Sequence, residues 1–290
     1  MVSLQRLFRS RWSGRKRPAT SEMSRPDFAI GQATAVVTGG TSGIGLATVR
    51  LLLECGARVA LCGRNPVRLR SVTDELSSLG YADRLLTQCC DVLQRSQVQA
   101  FSAAVLARFG VVDMLINNAG HARISTFADT SDEDWVAELT LKFFSVIYPT
   151  RAFLPALQQS RTAAIVCVNS LLALQPEPHM VATSAARAGV LNLARSLAVE
   201  FAPFGIRVNS VLLGTVNSGQ WQGRFEQRTT GGESFSEWLA KLAREKKIPL
   251  ERFGTPEEAA RAIVYLASPL ASYTTGSSID VSGGTARHIG

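Results

Sequence analysis

Short runs of uninterrupted apolar residues alternate along most of this chain with longer stretches of helical periodicity. The first run, TAVVT at 34–38, is apolar on both faces and bounded by a Gly-rich turn, so it predicts a short, fully buried strand. A helix is expected over 44–55, stopped by Gly56 in the left-handed position that closes many helices. The pattern then repeats. A strand is predicted at 57–62, and a helix at 65–79 with Asn65 as N-cap, Pro66 at N1 and Gly80 beyond its end. Strands follow at 85–90, 114–117, 163–168, 207–212 and 278–281, and helices at 94–109, 132–158, 179–201 and 256–267. Apolar strands separated by helices predict a parallel sheet covered on both faces. Seven of them describe an α/β fold, a doubly wound Rossmann-type sandwich with a seven-stranded parallel sheet. No linker composition or internal repeat divides the chain, so a single domain is expected over 27–290, with a less regular insertion at 217–249.

Charge changes this picture only at one end. The 290 residues carry 31 Lys and Arg against 23 Asp and Glu, a net +8. Seven of those bases (Arg6, Arg9, Arg11, Arg15, Lys16, Arg17 and Arg25) and one of the acids, Glu22, fall before residue 26, so the rest is nearly balanced. Residues 1–26 therefore read as a basic, disordered extension, with a start at Met23 or a targeting peptide as alternatives. Leu4, Leu7, Phe8 and Trp12 could give that extension a short amphipathic face for a membrane surface. The balanced body speaks against nucleic acid as the partner. No apolar run reaches the roughly 18–20 residues of a membrane span, so an integral membrane protein is not expected. Five cysteines without a CxxC spacing, all in apolar stretches, predict buried reduced thiols and a cytoplasmic setting. Three scattered histidines, His121, His179 and His288, form no metal-ligand pattern.

The chemistry concentrates in turns that follow strands. After 34–38 comes Thr38-Gly39-Gly40-Thr41-Ser42-Gly43-Ile44-Gly45, and then a helix. Glycines at 39, 43 and 45 permit a tight turn and a close approach of backbone to a pyrophosphate, which the helix N-terminus attracts. Gly39, Thr41, Ser42, Gly43, Ile44 and Gly45 are thus candidate cofactor-binding residues. An acid at the end of the second strand would select a free ribose 2′-hydroxyl. The chain has Gly63-Arg64-Asn65 there, and Arg64 suits a 2′-phosphate, favouring NADP(H) over NAD(H).

The chain resembles the short-chain dehydrogenase/reductase family in TGGTSGIG at 38–45, CDV at 90–92, NNAG at 117–120, SAARAGVLNLARSLAVEFAPFGIRVNSV at 184–211 and RFGTPEEAARAIVYLAS at 252–268. The resemblance implies oxidoreduction of a small carbonyl or alcohol substrate. It also implies Asp91 and Val92 around the adenine, Asn118, Ala119 and Gly120 along the cofactor channel, and Gly214 over the nicotinamide. A substrate loop at 217–249 is implied as well, with a homo-oligomer (tetramer or dimer) formed through the two long helices and the last strand.

The resemblance breaks down at the catalytic positions. The family uses Asn, Ser, Tyr, and a Lys four residues after the Tyr. Ser170 matches. Thr183 stands for the Tyr, Arg187 for the Lys, and Thr140, in Thr140-Leu141-Lys142, for the Asn. A threonine hydroxyl is too weak an acid to replace a tyrosine, and arginine keeps the charge without exchanging protons. One reading keeps hydride transfer with an atypical proton donor, for which His179, four residues before Thr183, is the leading candidate and His121 the next. The other reading is a non-catalytic dinucleotide-binding protein that regulates or scaffolds.

Overall fold

The computed structural model describes residues 27–228 and 232–287, so the basic extension and His288 lie outside the described residues. Seven strands form one parallel sheet: β1 (Thr34–Thr38), β2 (Arg58–Gly63), β3 (Leu85–Cys89), β4 (Met114–Asn117), β5 (Ala164–Ser170), β6 (Arg207–Leu213) and β7 (Ser278–Val281). Their order is β3-β2-β1-β4-β5-β6-β7. The order reverses between β1 and β4, the kind of switch point at whose strand carboxyl ends such sheets take their ligands.

The strands' period of two explains the two cores. Ala35 and Val37 of β1 and Val59 and Leu61 of β2 pack on one face. They meet Leu52 and Leu53 of α1 (Gly43–Glu54), Leu69, Val72 and Leu76 of α2 (Pro66–Leu76), and, from late in the chain, a helix at Pro256–Ala267. Val36, Ala60 and Cys62, one residue out of phase, face the other side. There they pack with Phe101 and Val105 of α3 (Arg95–Phe109), Val146 and Phe153 of α4 (Asp132–Leu157), and Val190 and Ala194 of α5 (Val181–Phe201).

Local chemistry sets the element ends. Asn65 caps α2 by accepting from Arg68 N at 2.9 Å, and α4 starts at Ser131, which accepts from Asp134 N at 3.2 Å, with Asp132, Glu133 and Asp134 facing the helix dipole. The expected helix over 65–79 stops at Leu76 and continues as a wider turn to Tyr81, because Gly80 sits at φ +85°. The helix expected from 179 begins at Val181. The insertion is more regular than its composition suggested. It forms α6 (Gly219–Glu226) and α7 (Phe235–Glu245), the latter opened by a capping box between Ser234 and Glu237. The helix at Pro256–Ala267 is α8. Cysteines 62, 90 and 167 are buried as expected, but Cys89 is exposed at the end of β3. Among the described residues, no helix is long and apolar enough to cross a membrane.

Candidate functional site

The turn from β1 to α1 is held against β4 by one threonine and one asparagine. Thr38 Oγ1 accepts from Asn118 N at 3.0 Å and Ala119 N at 3.1 Å. Asn118 Nδ2 donates back to the carbonyls of Thr38 at 3.0 Å and Gly39 at 3.1 Å. The two glycines beneath this clamp have no room for a side chain. A Cβ on Gly39, already at φ +66°, would lie 2.9 Å from Ala119 Cα, and one on Gly45 would lie 2.3 Å from Gly39 O. Gly43 is at φ +52° but opens on free space. Ser42 takes the N-cap position of α1 without a side-chain cap, a helix N-terminus of the kind that can receive an anion. Thr41 is buried with its methyl against Gly63, where a Cβ would come within 2.7 Å of it.

Beside this turn lie the ends of β2 and β3. Arg64 is exposed and forms no ion pair among the described residues, and Asn65 is occupied as a cap. Asp91 accepts from Leu93 N at 3.0 Å, which fixes the turn that buries Val92. Gly120 is exposed at the mouth. Gly214 packs so closely on Ser282 that a Cβ would come within 2.7 Å of that residue's own Cβ.

The catalytic positions lie beyond. Ser170, half-buried at the end of β5, accepts from Leu172 N and donates to Leu213 O, each at 3.3 Å. Arg187 extends from α5 to donate to Val168 O at 2.8 Å, and its Nε is buried without a partner. Burial pushes its pKa down to about 10, so it stays cationic near neutral pH. Thr183 is turned inward. Its hydroxyl accepts from Arg123 N at 3.0 Å and lies 2.5 Å from Glu138 Oε1 and 3.1 Å from Arg123 O. Its single proton is therefore directed into the protein.

Two residues that sequence reasoning passed over complete the cluster. Glu138 and Lys142, one turn apart on α4, form an ion pair at 2.8 Å with side chains only 2% and 3% exposed. Lys142 Nζ also donates to the carbonyl of His121, in a short contact. Burial pushes Lys142 down to about 8, and the charge of Arg187 adds to the effect against the pull of Glu138. Burial opposes ionisation of Glu138, but hydrogen bonds from Lys142 and Thr183 outweigh it and hold its carboxyl below the usual range. The residues of α4 that meet this cluster are thus Glu138 and Lys142. Thr140, between them in sequence and on another side of the helix, is half-buried and outside it. The available signal was a Glu and a Lys on the same helical stripe as Leu141, Ser145, Val146 and Pro149, where charges are rare.

Of the two candidate histidines, His179 departs from what its position suggested. His179 precedes α5 rather than sharing its first turn, and its ring is 55% exposed beside Glu177 at 3.1 Å. His121 is exposed at the cleft mouth, its pKa lowered by partial burial and the nearby Lys142. The aromatics of α6 and α7 pack on one another: Trp221 lies 6.2 Å from Trp238, and Phe225 5.3 Å from Phe235, between ring centroids.

Residues 39–286 match the family model described as enoyl-(acyl carrier protein) reductase. An uncharacterized short-chain type dehydrogenase/reductase of Sinorhizobium fredii is 35% identical over 262 residues, which cover 88% of this chain and 98% of that protein. The NADPH-bound structure of a short chain oxidoreductase from Pseudomonas aeruginosa PAO1, described as containing an atypical catalytic center, is 60% identical. It superposes with a TM-score of 0.85 over 90% of this chain and all of the other. L-Sorbose reductase from Gluconobacter frateurii, in complex with NADPH and L-sorbose, is 30% identical with a TM-score of 0.85, covering 91% of this chain and all of its own.

Proposed function

As the chain belongs to the short-chain dehydrogenase/reductase family, oxidoreductases that use a nicotinamide dinucleotide, we propose that it interconverts a carbonyl and its alcohol with NADP(H). The observation that carries this reading is the pair of side-chain-free positions at Gly39 and Gly45, set against Asn118–Ala119 beneath the open N-terminus of α1. A pyrophosphate fits such a cradle.

The chain's own groups divide the work. The N–H groups at Ser42, Gly43 and Ile44 would hold the pyrophosphate. Arg64 would take the 2′-phosphate, which an acid at that position would repel. Asp91 and Val92 would bound the adenine, and Ala119, Gly120 and Gly214 the nicotinamide end. The unpartnered Nε of Arg187 is a donor suited to a ribose hydroxyl. When bound, the cofactor supplies or accepts a hydride. Ser170 then polarises the substrate oxygen. Thr183 acts as a strut that ties α5 to the 121–125 loop. The NADPH in the Pseudomonas and Gluconobacter structures supports the cofactor choice. We also read the protein as a cytoplasmic homo-oligomer. Exposed Val136 and Leu139 on α4 and Val199 on α5 support the association.

The test is to titrate NADPH and NADH by fluorescence and then follow NADPH consumption with a panel of ketones, aldehydes and acyl thioesters. NADPH binding tighter than NADH, with turnover on at least one carbonyl, is expected. Tight binding with no turnover on any would overturn the oxidoreductase reading and leave a dinucleotide-binding protein without activity.

A further inference from the structure

We propose that Lys142 is the acid that protonates the substrate's carbonyl oxygen in reduction and the base that takes the proton back in oxidation, with Glu138 and the His121 carbonyl as its seat. The inference rests on the oxidoreductase reading and supplies the proton donor for it.

Most of the other candidate donors fall away, leaving Lys142 and His121 beside it. The chain's four tyrosines lie elsewhere: Tyr81 under Arg84, Tyr148 on Phe144, and Tyr265 and Tyr273 in and beyond α8. The Thr183 proton is directed to Glu138 or Arg123 O. Arg187 keeps its proton, and His179 faces solvent beside Glu177. Lys142 has three donors, of which Glu138 and His121 O engage two. The charged and titratable groups around it are Glu138 on its own helix, His121 and Arg123 from the loop after β4, and Arg187 from α5. Arg123 is itself paired with Asp134 at 2.8 Å. Lys142 and Arg187 share one carboxylate, so the enclosed cluster retains a positive charge suited to an oxygen gaining negative charge.

The step balances with what the reading supplies. The carbonyl carbon receives the hydride with its electron pair, and the π pair moves onto oxygen. The new O–H bond forms as an Nζ–H bond breaks. Lys142 is left as a neutral amine and regains its proton from solvent. The carbonyl is reduced and the nicotinamide oxidised.

Three measurements test this on the full chain. Wild-type kcat for reduction should fall above about pH 8, as the ammonium is lost. Lys142→Arg keeps the charge but cannot give up a proton, so it should lower kcat about 10²–10⁴-fold with the NADPH Kd unchanged. In protein labelled with ¹³C at lysine Cε, one of the five lysines (Lys16, Lys142, Lys241, Lys246 and Lys247) should titrate near 8 with no cofactor or substrate present. Arginine substitution at the other four assigns that signal even if Lys142→Arg does not fold. A Lys142 signal titrating at the ordinary ~10.4, or wild-type kcat in Lys142→Arg, overturns the proposal. Failure of the wild type to bind NADPH or reduce any carbonyl instead refutes the oxidoreductase reading itself.

Discussion

Glu138→Gln separates an adaptable buried pair from a rigid one. Removing one partner of a buried ion pair ordinarily costs about 3–5 kcal/mol, because the other charge is stranded. Here the stranded cation can discharge. Lys142 already sits near 8, so at pH 7 its ammonium is favoured over the amine by only about one pKa unit. Losing that preference costs at most about 1 kcal/mol at pH 7, and about 3 kcal/mol at pH 6, at 1.36 kcal/mol per unit. The amide that Glu138→Gln introduces would still accept from Lys142 and Thr183, so the hydrogen bonds add little to the cost. The sign follows from linkage. The folded pKa of Lys142 is depressed, so between about pH 8 and 10.5 the unfolded chain binds more protons, and this lysine makes stability rise with pH there. The substitution extends that window downward, and its penalty should vanish above about pH 9. Urea unfolding of wild type and Glu138→Gln at pH 6, 7, 8 and 9 measures the difference. A penalty of 3–5 kcal/mol that stays flat across the series would refute the discharge argument.

Four further outcomes are expected. Arg64→Asp should shift the NADPH/NADH affinity ratio towards NADH, and an unchanged ratio would show that Arg64 does not meet the 2′-phosphate. Gly45→Ala places a Cβ 2.3 Å from Gly39 O and should abolish dinucleotide binding, whereas Gly43→Ala, strained only by its φ of +52°, should cost about 1–2 kcal/mol in a denaturation experiment. His179→Ala should leave turnover within about twofold, because that ring lies in solvent beside Glu177; a loss of about 10²-fold would restore it as the acid. Light scattering should give a mass at least twice the 31.2 kDa of one chain, and a monomer at micromolar concentration would remove the homo-oligomer reading.

The sheet was legible because each strand is apolar on both faces and each helix ends at a readable signal. β1, β4, β7, α3's end at Phe109 and α8 lie where periodicity places them. Helix starts were harder. Nothing local separates Pro178-His179 from the first turn of α5, and the strand-like bridge between Ser125 and Met180 that delays the helix joins residues far apart in sequence. The cofactor turn was readable because its glycines answer to local backbone geometry. The Glu138–Lys142 pair was less so: each residue taken alone reads as an ordinary solvated helix charge, and only its place on the apolar stripe points inward. What marks the pair as buried is the approach of α5 and of the loop after β4, contacts more than 20 residues distant.

The three fixed acceptors around the cluster are main-chain carbonyls: His121 O holds Lys142, Arg123 O faces Thr183 and Val168 O holds Arg187. Any residue at those positions supplies a carbonyl. Their side chains can therefore drift during evolution while the seats of both cations persist, provided the path of the backbone does not change. The loop after β4 should consequently tolerate substitution at His121 far better than deletion of a single residue between 121 and 125, which would displace the carbonyls from both partners together. In this site the backbone's path, more than side-chain identity, sets where the two cations rest.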